Sequence, residues 1–502
     1  MPSPTHRRRI AVVGGGIAGL AAAHRLGEIA PQAEVTLFEA AERLGGVLRT
    51  EAADGYLLEH SADSFITSNP AAVDLCRRIG FDELIPTNDR LPGESQPHPR
   101  LRSAFVVRRG RLIRVPEGFM LLQPRRLWPL LTSPLLSPLG KLRLLAECLV
   151  PRRRVEGDES LAAFARRRLG REAYERLVQP LVGGIYTADA EKLSLAATLP
   201  RFIALERKHG SLVRAAFRER QKSQGGSAAR YGLFVAPRNG MGSLVAALAA
   251  RLPEGCVRLS TPVETLFRLR DGGWQVIARS SFAQNDPANE SPLDDIFDAV
   301  ILAMPAQRIA AVLTEVDASL AAVLNEIEYA DSALALVGVR RDAVRHPLDG
   351  FGFVAPEIEN RQILACSFAS VKFPGRAPTG SLLLRVFLGG ARRAGQIDLP
   401  DEELRRIVLA ELGELIGLVG QPELFRIVRW RGAMPQYHLG HLQRVARIEA
   451  RMADLAGLEL AGNALRGVGV PDCIRGGEQA AERVAQSLGC AVSTDAEPEA
   501  PD

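Results

Sequence analysis

Paired cysteines are missing from this chain. Its six cysteines, at positions 76, 148, 256, 366, 473 and 490, are scattered, and no two form a C-x-x-C pair. That spacing argues against a zinc ribbon, an iron–sulfur site or a disulfide scaffold, and it fits a reducing compartment. The eight histidines show no metal-ligand spacing, so no metal site is expected. Neither G-x-S-x-G nor H-E-x-x-H occurs, and no catalytic dyad is visible. No uninterrupted apolar run reaches the ~18 residues of a membrane-spanning helix. There is no internal repeat. The opening His6-Arg-Arg-Arg9 followed by an apolar run has the outline of a secretion signal. Glycines break that run in a pattern with its own meaning, so the signal reading is rejected.

What is present is ordinary globular composition. The 502 residues are 46% hydrophobic and 24% charged, which rules out a disordered or collagen-like chain and leaves room for two or three domains. The net charge of +5 is unevenly placed: between residues 100 and 154, twelve arginines and Lys141 stand against Glu117 and Glu147. Such a patch implies an anionic partner, either a lipid surface, a carboxylate-rich ligand or nucleic acid; a solvated face of an Arg-rich protein is the plainer alternative. Nucleic acid is set aside, because the patch has few aromatics to stack on bases and no known module.

Ile10–Val13 reads as a buried strand, Ile17–Leu26 as a helix and Glu34–Glu39 as a second strand, an opening βαβ unit of a parallel sheet. Residues 88–100 have loop composition. Pro124, Pro129, Pro134 and Pro138 divide residues 119–150 into short amphipathic pieces. Residues 160–182 and 243–252 read as helical, 257–276 as short strands, 280–297 as a polar hairpin tip, and 298–303 and 381–390 as buried strands. The acidic tail from Ser493 to Asp502 reads as disordered.

The central signal is Gly14-x-Gly16-x-x-Gly19 between the first strand and the helix. The first glycine permits a tight turn, the second lets backbone approach a pyrophosphate, and the third lets helix and sheet pack closely. The helix start then offers unpaired N–H groups and a positive dipole. Glu39 follows twenty residues after Gly19, where a carboxylate accepts from ribose hydroxyls and repels a 2′-phosphate.

The run from Glu39 through Ala40 to Arg43-Leu-Gly45-Gly46 resembles the second glycine turn of the amine-oxidase-like flavoprotein superfamily, which tips the choice from NAD to non-covalent FAD. Further segments resemble one branch, the FAD-dependent porphyrinogen oxidases of haem synthesis. They are Glu59-His-Ser-Ala-Asp63-Ser64-Phe65, Leu181-Val-Gly-Gly184-Ile-Tyr186, Phe373-Pro374-Gly-Arg376-Ala377-Pro378, Trp430 to Tyr437 with Gly440-His441, Ala461-Gly462-Asn463, and Gly467 to Ile474. Two departures stand out. Ser61-Ala62 replaces the family's Gly-Pro, and Thr187-Ala188 replaces its Ala-Gly.

The resemblance implies an α/β fold: a discontinuous Rossmann-like FAD-binding domain over 7–85, 231–310 and 440–488, an α+β substrate domain over 86–115 and 311–439, and a helical, membrane-facing subdomain over 116–230, with 489–502 as a tail. It implies removal of six electrons from a porphyrinogen in three flavin cycles, with O2 as acceptor and H2O2 as product, the flavin carrying the hydride step. Gly14, Gly15, Gly16, Ile17, Ala18 and Gly19 then hold the diphosphate. Glu39 and Ala40 meet the adenosine end, with Val263 at the adenine. Arg43, Gly46, Val47, Ser61, Ala62, Asp63 and Ser64 lie along the cofactor. Trp430, Gly462, Val468, Gly469 and Val470 close the flavin end. Arg102, Gly184, Phe351, Val354 and Phe387 are the substrate candidates, with Arg102, Arg108 or another member of the basic cluster standing in for the family's propionate arginine at Ala104.

The expected partners are a tetrapyrrole, O2, an anionic membrane surface and a second copy of the chain. The expected location is the cytoplasm, with peripheral attachment to the membrane. Residues 119–150 equally suit a cover over the cavity of a soluble enzyme. Between protoporphyrinogen IX and coproporphyrinogen III the apolar segment tilts slightly to the former. Two other readings remain open: a carotenoid desaturase or amine oxidase of the same superfamily, and a non-catalytic tetrapyrrole- or flavin-binding protein.

Overall fold

In the computed structural model, residues 7–91, 98, 101–124, 126–154, 157–222, 233–270, 272–279 and 293–490 are described. The tail from Ser493 and most of the 88–100 loop fall outside them. The apolar run Arg9–Val13 is strand β1, Ile17–Ile29 is helix α1 and Glu34–Phe38 is strand β2. β1 pairs in parallel with β2 and with Ala299–Leu302. Val257–Arg258 and Leu458–Leu460 complete a five-stranded parallel sheet in the order Val257–Arg258, β2, β1, Ala299–Leu302, Leu458–Leu460. The chain therefore leaves this unit and returns to it twice.

Both faces of this sheet are covered, which is why β1 reads as a continuous apolar run. Ile10 and Val12 pack with α1 and the C-terminal helix Val470–Ser487. Ala11 and Val13 pack with Trp274, Phe297 and Leu302 on the other side. Those aromatics belong to an antiparallel meander of Val263–Arg268, Trp274–Ala278 and Leu293–Phe297. The expected polar hairpin tip over 280–297 is thus corrected at its end: Leu293–Phe297 is a paired strand with Phe297 buried, and 280–292 lie outside the described residues.

A second, seven-stranded sheet runs in the order Leu424–Pro435, Tyr329–Arg340, Ser381–Gly389, Ala365–Phe368, Gly352–Val354, Phe105–Arg108, Arg111–Arg114. One face packs on the helix Asp401–Ile416 through Leu384, Val386, Leu404 and Val408. On the other face the register sets Leu334, Phe387, Ala365, Val354 and Val106 in one row across five strands. A helical layer between Leu127 and Lys222 packs on the Val106 and Val354 end of that row. The helix expected over 160–182 is broken at Gly170, whose backbone is left-handed (φ 91°) and which ends Leu161–Leu169.

The nucleotide-type unit is closed by contact between α1 and Val470–Ser487. A Cβ on Gly477 would collide with the Ala18 carbonyl oxygen. Gly477→Ala gains helix propensity of about 1 kcal/mol but overpacks this contact at about 1–3 kcal/mol. We expect a lower melting temperature; a variant melting at or above wild type would refute the close approach.

Candidate cofactor and substrate site

The first glycine turn is dictated by sterics. Gly14 is left-handed at φ 108°, its N–H donates to Phe38 O at 2.7 Å, and a Cβ there would sit 2.5 Å from Ala303 O. A Cβ on Gly19 would collide with Gly14 O. At Gly16, the residue before α1, a Cβ would meet no protein atom within 4 Å. Open space therefore lies in front of a helix start that no side chain caps, the arrangement that receives a phosphate. The cradle fits a dinucleotide diphosphate.

The second turn docks on the first. Gly45 N–H donates to Gly15 O at 2.8 Å. Arg43 donates to the carbonyls of Leu44 (3.0 Å), Leu48 (3.2 Å) and Gly46 (2.5 Å). Arg43 thus holds the turn's backbone, and burial lowers its pKa. Glu39 accepts from the N–H groups of Gly15 and Ala41, each at 2.7 Å. Its main-chain oxygen accepts from Thr261 N–H at 2.8 Å, which ties the segment just before Val263 to the end of β2. Val470 opens the C-terminal helix and shares a core with Ile17 and Ala18, while Val468 packs into the helical layer. Gly462 and Gly469 lie in the same returning segment. The C-terminal helix that this loop leads into therefore packs on α1, the helix that follows the first glycine turn, with Gly477 against Ala18.

Residues 60–64 form a strip between the two sheets. Trp430 Nε1 donates to His60 O at 2.7 Å, and Ser61 Oγ to Val47 O at 2.6 Å. Arg385 bonds Ser61 O and sets Nη1 2.7 Å from Asp63 Oδ2. Lys372 Nζ lies 3.1 Å from Asp63 Oδ1 and donates to Ser64 Oγ at 2.9 Å. Ala62 packs on the nucleotide-unit core. Burial would raise the Asp63 pKa, but Lys372 and Arg385 together hold it well below the usual carboxylate range. Sequence reading missed both cations. One signal was there: Lys372 is one of only five lysines in the chain and directly precedes Phe373-Pro374.

Phe387 and Val354 lie in the sheet row facing the helical layer. Gly184 packs there too, an added Cβ falling 3.5 Å from Val354 Cγ1. Phe351 is a correction: it packs with Phe353 and Phe368 in the core on the opposite face. Arg102 is likewise apart, in an exposed turn before Phe105. Arg108 stands two residues after Val106 and so on the same face as Val354. Its pKa is lowered by burial and by Arg176.

The family model described as flavin containing amine oxidoreductase matches residues 17–485. The chain is 32% identical over 481 residues to the coproporphyrinogen III oxidase of Bacillus subtilis, covering 94% of this chain and 97% of the relative. It is 33% identical to the coproporphyrinogen III oxidase of Propionibacterium freudenreichii, covering 96% and 92%. A solved structure described as a candidate protoporphyrinogen oxidase of Exiguobacterium sp. 255-15 superposes with a TM-score of 0.81 at 29% identity, covering 96% of this chain and 99% of that one.

Asp63→Ala would leave the buried Arg385 and the partly buried Lys372 without their counter-charge, at a cost of about 3–5 kcal/mol. Because the folded pKa of Asp63 is depressed, the wild-type advantage is complete above the ordinary Asp value of about 3.9 and fades as pH falls below it. Denaturant unfolding of both proteins from pH 3 to 8 reads this difference. Equal stability at pH 7 would show that the ion cluster contributes nothing.

Proposed function

The chain belongs to the flavin containing amine oxidoreductase family, and on that footing we propose that it is an FAD-dependent porphyrinogen oxidase of haem synthesis whose preferred substrate is coproporphyrinogen III. The observation that carries the cofactor half is the packing of the C-terminal helix on α1, Gly477 against Ala18, beside two interlocked glycine turns. The substrate half rests on the names of the most similar relatives and on an apolar sheet face with a half-buried arginine, Arg108, at its edge. Both weigh against the slight tilt to protoporphyrinogen and against a carotenoid or amine substrate.

In this reading Gly14 to Gly19 hold the diphosphate through backbone N–H groups, and Glu39, Ala40 and Val263 receive the adenosine. Arg43 fixes the second turn, with Gly46 and Val47 alongside. Ser61 to Ser64, Trp430, Gly462 and Val468 to Val470 surround the isoalloxazine end. Bound FAD supplies the two-electron hydride chemistry, with O2 as final acceptor. The chain's own residues position and exclude water: Phe387, Val354, Leu334 and Ala365 offer a flat apolar wall for a tetrapyrrole. The nucleotide-type unit, the seven-stranded sheet and the helical layer divide the work as cofactor holder, substrate wall and roof.

The helical layer also suits a cytoplasmic protein resting on an anionic membrane. Trp128, Leu139, Leu142 and Leu149 are 75%, 79%, 64% and 78% exposed, with Lys141 and Arg143 between them. Apolar side chains interleaved with cations are what a lipid interface retains. Among the described residues, no helix is long and apolar enough to cross a membrane.

The purified protein is expected to be yellow and to consume O2 with coproporphyrinogen III, at a higher kcat/KM than with protoporphyrinogen IX. A protein that binds flavin but oxidises neither substrate would defeat the assignment. Flotation with anionic liposomes should fall several-fold in a Trp128→Ser, Leu139→Ser, Leu149→Ser variant; wild type that stays off the vesicles would remove the membrane surface.

A further inference from the structure

A small cleft opens beside the proposed substrate wall. Gly183 lines it, and its neighbour Gly184 packs on Val354. Leu364 lines it as well, with its N–H donating to Phe387 O at 2.8 Å. The cleft therefore shares two walls with the face on which the tetrapyrrole would lie.

Three arginines line the cleft: Arg361, Arg392 and Arg393. Two are already neutralised. Arg361 pairs with Glu411 and Glu414, and Arg392 with Glu357 and Asp189. Arg393 differs. Among the described residues it has no ion pair, and its Nη1 is buried without a hydrogen-bond partner. An unpaired guanidinium nitrogen away from water is costly unless a ligand supplies the acceptor.

The second lining residue out of balance is Thr187. It takes the left-handed region at φ 49°, which strains a β-branched side chain. Its Oγ1 is buried with no partner. The strain is held in place from the Arg393 loop: Ala391 N–H donates to Thr187 O at 2.8 Å, and a Cβ on Gly390 would lie 3.0 Å from the same oxygen. Thr187 stands where the resembled family carries Ala, so this hydroxyl is a feature of this chain.

Guanidinium only donates, and a hydroxyl can join it, so the missing partner is an acceptor with two oxygens. We propose that Arg393 and Thr187 form a carboxylate subsite that receives one propionate of the substrate. This rests on the porphyrinogen reading. It makes the cleft a determinant of specificity, since coproporphyrinogen III carries four carboxylates and protoporphyrinogen IX two.

The test is fluorescence titration of the flavin-loaded protein with coproporphyrin III and with its tetramethyl ester. Arg393→Ala should weaken coproporphyrin III roughly tenfold, as loss of a charge-assisted bidentate contact does, and leave the ester unchanged. Arg393→Lys should recover part of the loss, and Thr187→Val should lose about threefold. In turnover, KM for coproporphyrinogen III should rise far more than kcat falls. Equal affinity of wild type and both alanine and valine variants for coproporphyrin III would overturn the subsite. Should Arg393→Ala misfold, as read by flavin content and melting temperature, Thr187→Val carries the test. Succinate separates the two propositions. A wild type that binds no porphyrin, yet is raised in melting temperature by succinate only when Arg393 is present, keeps a carboxylate site for a free anion and sinks the porphyrinogen reading. Neither response would sink both.

Discussion

The candidate site depends on how the strip from His60 to Ser64 is gripped. It belongs in sequence to the nucleotide-type unit, yet its partners Arg385, Lys372 and Trp430 come from the seven-stranded sheet region. Asp63 is buried, and buried ion pairs repay their desolvation only when geometry and hydrogen bonding are complete. Here two cations share one carboxylate, Ser64 donates to it at 2.7 Å, and Arg385 and Trp430 also bond the adjacent carbonyls. A second tie of the same kind lies nearby, where the buried Arg376 donates to Pro237 O at 2.8 Å and Arg238 O at 2.9 Å. Two units with separate cores are thereby held at a fixed spacing, and the space between them has a defined shape.

The parts that were legible in the sequence are those set by short-range rules. The βαβ opening, the two glycine turns and the apolar strand 298–303 each follow from steric or periodic demands within a few residues. Arg385 and Lys372 were not legible, since their contacts to Ser61 and Asp63 span 324 and 309 residues. Phe351 is a different failure. It stands three residues before Val354, an odd separation, and extended chain turns such residues to opposite faces. Both were offered as cavity lining, and parity alone allows one of them there.

Charge summed along the sequence also misleads. The basic run over residues 100–154 suggested a strongly cationic surface. In the fold Arg114 pairs with Asp349 and Arg153 with Glu159, both acids from outside the run. Arg143 instead donates to the carbonyls of Arg167 and Arg168, at 2.6 Å and 3.2 Å. Part of the excess is therefore spent inside the protein. Arg102, Arg109, Arg111, Arg152 and Arg154 stay exposed, so a cationic field remains, more local than the sum along the sequence suggests and readily screened by salt.

The loop before Val468 and the helical layer are also not independent. Tyr437 donates to Asn463 O at 2.5 Å and accepts from Gly467 N–H at 2.9 Å, so one hydroxyl clasps both ends of the loop that leads into Val468. Burial pushes its phenol well above the usual range, which keeps the proton that the clasp requires. The main chain of the same residue accepts from Ser194 N–H of the helical layer at 2.8 Å, and Gln436 next to it donates to Tyr186 O at 3.4 Å. Tyr186 ends the helix that carries Gly184 onto Val354. Gln436 and Tyr437, adjacent in sequence, therefore tie the helix that carries Gly184 to the loop that leads into Val468, and the tie runs through covalent neighbours instead of a long chain of side-chain contacts.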